Sequence, residues 1–118
     1  MANPNLASIT NIKGDSIFTN LSTSDAQILE NTAASNQLVK LSSVLVANKN
    51  SIAVAVTLNV RRSAVDYPLA HQIVIPERST VVLIEKDAPV YLEEGDTLRA
   101  SAGLASSLVL TVCYETLS

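Results

Sequence analysis

The segment Ile52-Ala53-Val54-Ala55-Val56-Thr57-Leu58-Asn59-Val60 decides the fold class. Large apolar residues fill every second position, with Ala, Ala, Thr and Asn between them. Successive side chains of a strand point to opposite faces, so this stretch has one heavily apolar face and one lighter one. A helix would scatter the same residues around its circumference. The segment is a strand.

A second alternation closes the chain. Leu108, Leu110, Val112 and Tyr114 share one face, and Val109, Thr111, Cys113 and Glu115 the other, which turns from apolar to charged along its length. Thr97 to Ala102 lies just before it, and the short link from Gly103 to Ser107 predicts an antiparallel hairpin. Glu94-Gly95-Asp96 is a turn after Val90-Tyr91-Leu92, with Gly95 free to take positive φ. Thr80 to Ile84 is apolar on both faces, which predicts a strand covered on both sides. Leu69 to Ile75 reads as a further strand, with Pro68 at its first residue or on an edge. Val44 and Val46 show strand spacing within Leu38 to Asn48, and Asn48-Lys49-Asn50-Ser51 is a turn. Ser16 to Leu21 and Ala26 to Thr32 are weaker strand candidates. For Asp25 to Glu30 the alternative is one helical turn capped by Ser24, but no amphipathic stripe extends past it.

The expected architecture is a single all-β domain, an antiparallel β-sandwich or jelly roll of about seven to nine short strands. Val, Ile and Thr make up 30 of the 118 residues, as strands favour. An extended N-terminal arm is expected over residues 1–12 and the sandwich over 13–118. The length suits one core and is short for two. Net charge is −3, and Arg61-Arg62 is the lone adjacent basic pair, so binding through phosphate neutralisation is not expected. No run approaches the ~20 apolar residues of a membrane helix, and the first residues lack the pattern of a secretory signal. The expectation is a chain made and kept soluble inside a cell.

Catalytic chemistry finds little material. His71 is the single histidine; a triad with Asp66 and one of 14 serines lacks any nucleophile motif. One His and one Cys, 42 positions apart, do not make a zinc site. Glu85, Asp87, Glu93, Glu94 and Asp96 cluster near two turns without the alternating spacing that wraps calcium, so a solvated acidic loop is expected. Three glycines leave no phosphate-cradling loop. No enzyme activity, cofactor or metal is expected. Cys113 cannot form an intrachain disulfide and reads as a small buried strand residue. Sugar sites stack a ring on an aromatic; Trp is absent, and Tyr67 and Tyr91 beside prolines are the candidates for a glycan site.

The remaining features suit assembly. Ala53, Ala55 and Thr57 form a small, mildly polar face that can lie against another subunit at little desolvation cost. The arm residues Leu6, Ile9 and Ile12 are candidate assembly contacts, adding a strand to a neighbour's open edge.

Asp87 to Ala102, with Leu92-Glu93-Glu94-Gly95-Asp96-Thr97-Leu98-Arg99-Ala100, followed by Ser106 to Glu115, resembles the C-terminal signature of small structural proteins of tailed bacteriophages. The opening Asn3-Pro4-Asn5-Leu6 with Ser8-Ile9-Thr10 is similar to the start of relatives from large cyanobacterial phages. The likeness is strongest over 87–115 and weaker over 38–62. It implies a non-enzymatic virion component, synthesised in the host cytoplasm, that decorates or cements the capsid or belongs to the neck or tail. Its implied partners are copies of itself and other virion proteins, with no nucleic acid and no membrane. It carries over no catalytic residues. The alternative is a ligand- or glycan-binding module of a tail fibre or receptor-binding apparatus.

Overall fold

The computed structural model describes residues 5–118. Nine strands build two antiparallel sheets: β1 (Ile12–Asn20), β2 (Ala26–Glu30), β3 (Leu38–Asn48), β4 (Val54–Arg62), β5 (Val65–Ile75), β6 (Thr80–Ile84), β7 (Val90–Leu92), β8 (Thr97–Ala102) and β9 (Leu108–Leu117). One sheet has the order β1-β9-β3-β6, with β7 following β6 along the same edge of β3; the other has the order β2-β8-β4-β5. The chain changes sheet at most of its turns. This is the interleaved double-sheet order of a jelly roll.

The alternating segment lies at the centre of the second sheet. Val54, Val56, Leu58 and Val60 are buried, and the residues between them face outward. They meet Leu41, Val44 and Val46 of β3 and Leu110 and Val112 of β9 in one continuous core. Aliphatic side chains fill this core, each contributing about 1.5–3 kcal/mol on full burial. Residues 26–30 form a strand rather than the helical turn, paired with β8.

Two expectations are corrected. Thr97–Ala102 and Leu108–Leu117 are not a hairpin: β8 pairs with β2 and β4, whereas β9 pairs with β1 and β3. Both strands must point an apolar face at the shared core, and the link from 103 to 107 is long enough to cross the sandwich. Thr80–Ile84 is not covered on both sides. It is an edge strand with Val82 exposed and Ile84 buried. Its second apolar face therefore looks into solvent.

The true hairpin joins β4 to β5. Arg62 pairs with Val65 across the two-residue turn Ser63-Ala64, and both turn residues have positive φ, 53° and 63°. That geometry matches the right-handed twist of the flanking strands. Strand β5 starts four residues before the expected Leu69 and carries Pro68 internally. Its position at the sheet edge leaves that missing N–H without consequence.

Candidate functional site

His71 lies exposed on β5. Asp66, the aspartate weighed as its partner, is instead gripped across the hairpin by Arg61, with Nε and Nη2 donating at 2.8 and 3.0 Å. That fork holds the Asp66 carboxyl below its ordinary pKa and raises that of Arg61. Cys113 sits in a strand as expected, but half-buried on the outer face of the first sheet, between Ser16 and Ser43. Among the described residues, no group of three or more His, Cys, Asp or Glu side chains is placed to hold a metal.

The expectation of a solvated acidic loop fails for Glu94 and Asp96, both 1% exposed. Arg62, at the end of β4, donates from Nε and Nη2 to the two Asp96 oxygens at 2.9 and 2.6 Å, and Nη2 also meets Glu93 at 2.7 Å. The Asp96 carboxylate also accepts the Glu93 N–H at 2.9 Å, and Glu94 accepts that of Asn36 at 2.8 Å. Hydrogen bonding to Asp96, ahead of charge, raises the Arg62 pKa. Buried carboxylates persist only with such charge-assisted partners. Asn31 ties the same end together, its amide donating to the carbonyls of Gln37 and Leu92. The acidic turn is a clasp that closes one end of the sandwich.

The segment Leu92 to Ala100 serves this clasp and the core. Leu92, Leu98 and Ala100 are fully buried, Gly95 has φ 89°, and Arg99 pairs with Asp25 at 2.5 Å. Leu92, Gly95, Asp96, Leu98, Arg99 and Ala100 thus each have a role in the fold.

The three arm residues do not gather into one patch. Leu6 is exposed in a short 3-10 turn, Leu6–Ser8, where the Asn5 side-chain oxygen accepts the Ala7 N–H at 3.0 Å. Ile9 is half-buried. Ile12 already belongs to β1, opposite Leu117, and the N–H groups of Thr10 and Asn11 donate to the Ser118 carbonyl at 3.0 and 2.9 Å. The sheet thus includes Ile12, the last residue assigned to the arm. Residues 1–4, including Asn3-Pro4 of the quoted opening, lie outside the described residues.

The feature that alternation did not reveal is β5 itself. It is the outer strand of its sheet and 11 residues long, and only Ala70 and Ile75 are buried. Val65, Tyr67, Leu69, Ile73 and Val74 are all at least 40% exposed. Its ladder to β4 shifts register twice, and Gln72 takes φ 50° at one shift, its N–H donating to Thr57 Oγ1 at 3.2 Å. Tyr67 points to the same side as its partner Val60, towards the interior, yet remains 54% exposed. An open groove of about 420 Å³ results, lined by Val60, Arg62, Tyr67, Leu69, Val90 and Tyr91. The two tyrosines singled out in the sequence thus share one groove. The signal available was the run Val65 to Leu69, with large apolar residues at 65, 67 and 69.

No protein-family profile and no curated protein matches this sequence. Among solved structures, the chain is similar to one in Bacillus endospore appendages, described as a novel family of disulfide-linked pili. The likeness covers 99% of this chain and 95% of that one, with a TM-score of 0.54 and 12% identity. It supports the fold.

Proposed function

We propose that this chain is a non-enzymatic structural subunit of a phage virion that works by assembling with copies of itself and with other virion proteins. The observation that carries the assembly reading is β5, an unpaired 11-residue edge with five large apolar side chains in solvent. Such an edge can take an added strand; Pro68 and the register shifts blunt it in part, but its exposed apolar side chains stay uncovered. The arm carrying Leu6 and Ile9 is the segment that would add to it in a neighbouring copy. The virion assignment is supported by the likeness over residues 87–115, on the capsid surface or in the neck or tail. The appendage neighbour belongs to pili, and its likeness extends to the fold alone.

Sedimentation of the purified chain tests assembly. Wild type is expected to form defined oligomers, and Ile73→Lys with Val74→Lys to run as a folded monomer. A wild-type chain that stays monomeric at every soluble concentration removes the reading. Quantitative mass spectrometry of purified particles then tests location, with a copy number matched to capsid or tail symmetry expected.

One observation favours a second reading. Tyr67 and Tyr91 line the same groove, as a sugar-stacking site requires. That module should bind host surface polysaccharide saturably and lose it with Tyr67→Ala or Tyr91→Ala.

A further inference from the structure

The two outer faces of the sandwich carry complementary shapes near one end. On the first sheet, Phe18, Thr111, Leu45 and Val82 stand in register, forming one row across β1, β9, β3 and β6. Phe18 is the chain's single phenylalanine, and 72% of it lies in solvent. Its neighbours Ile17 and Thr19 point the other way. An aromatic ring left standing on a sheet face forfeits one of the larger apolar burials available to a chain.

On the second sheet, two shallow hollows of about 260 and 360 Å³ adjoin and share Ala55 and Gly103. Ile52, Leu104 and Val74 form their apolar walls, and all three are exposed. Gly103 is not required by the backbone of this chain. A Cβ there would meet Ala55 at 3.7 Å, an ordinary contact, and positive φ among glycines is confined to Gly95. What the missing side chain provides is the hollow. No charged residue belongs to the row or lines either hollow. Arg61, Asp66, Arg99 and Asp25 lie elsewhere on the second sheet and already pair with one another.

We infer that copies of this chain stack face to face, with Phe18 of one copy seated in the Ala55–Gly103 hollow of the next. Knob and hollow lie on opposite faces, so the contact is heterologous and its repetition makes a ring or an open stack. The molecule spans 48 by 26 Å at its fullest, which leaves room for the ~800 Å² per partner of a standard interface. This inference rests on the assembly reading for the existence of contacts between copies. It uses the faces, whereas that reading used the β5 edge.

The test places a photo-crosslinking benzoylphenylalanine at position 18 of the full chain and maps the products by mass spectrometry. Crosslinks into residues 52–57 or 101–104 of a second copy are expected. Gly103→Leu, which fills the hollow, should abolish them without lowering the melting temperature. Phe18→Ser should weaken self-association by about tenfold or more in sedimentation, as loss of a central aromatic anchor does. Oligomers that persist with crosslinks confined to residues 65–71 of β5 or to the arm, away from the hollow wall at Gln72 and Val74, overturn the stacking and leave the assembly reading standing. A monomer with no crosslink between copies overturns both.

Discussion

Strands β4 and β5 are joined by a two-residue turn and paired along their length, yet they have opposite fates. Val56 is fully buried, while its cross-strand partner Ile73 is 42% exposed; Val60 is buried, and its partner Tyr67 is largely exposed. Residue type does not explain the difference, since both strands carry large apolar residues, Val and Leu in β4 and Val, Tyr, Leu and Ile in β5. Position does. β4 lies between β8 and β5 with its inward side chains in the shared core, whereas β5 is the outer strand with β4 as its one neighbour in the sheet. A free subunit that exposes such a strand holds apolar area ready to be covered by something else.

The largest test of this contrast is a charge on each member of the Val56–Ile73 pair. Val56→Asp puts an unpaired carboxylate into the core and is expected to abolish soluble folding. Ile73→Asp should leave a folded monomer with a melting temperature within a few degrees of wild type. Equal damage, read by circular dichroism, would show that β5 is buried within one chain and would end the comparison.

Next in size is the clasp at the end of β4. Arg62→Ala leaves Asp96 buried with the Glu93 N–H as a remaining partner. An orphaned buried carboxylate is strongly destabilising, but Arg62 is half-exposed and water screens part of the loss. A cost of about 1–3 kcal/mol is expected in urea unfolding. Arg61→Ala, which breaks a pair exposed on both sides, should shift the same unfolding curve far less.

The turn between the strands sharpens the contrast from the other direction. Ser63 and Ala64 both occupy the left-handed region, which costs a non-glycine residue about 1 kcal/mol. Replacing them with Asn-Gly should stabilise the chain by about 1 kcal/mol in thermal unfolding and leave oligomer size unchanged. A loss of stability would mean that these side chains make contacts worth more than the backbone strain.

The same turn shows where the sequence stopped being legible. The alternation from Ile52 to Val60 announced β4, because a half-buried central strand must alternate. Ser-Ala carries no turn chemistry, so the start of β5 was hidden, and Pro68 drew its boundary inward. The false hairpin between Thr97 and Tyr114 arose because short links usually join neighbours in one sheet, whereas a jelly roll uses them to cross between sheets. The buried acidic turn was hidden for a related reason: its partner, Arg62, lies 34 residues upstream. Tyr67 and Tyr91 were visible as the rare aromatics, but their meeting in one groove depends on strand order, which alternation does not encode.

The smallest effect concerns the Arg61–Asp66 fork that ties β4 to β5 on the outer face. Asp66 titrates below its ordinary value when folded, chiefly through the hydrogen bond from Arg61. A carboxylate with a lowered folded pKa adds stability that is complete above the unfolded value, near 4, and is lost as pH falls through the folded one. Arg61 stays charged throughout, so the window belongs to Asp66 alone. Melting temperatures of wild type and Asp66→Asn should therefore differ slightly at neutral pH and converge once pH falls below the lowered folded value of Asp66. The gap should also shrink in high salt, because both side chains are exposed and screened. A gap that survives at low pH would assign the effect to the shape of the hairpin, and the bond between these two unlike strands would then owe nothing to charge.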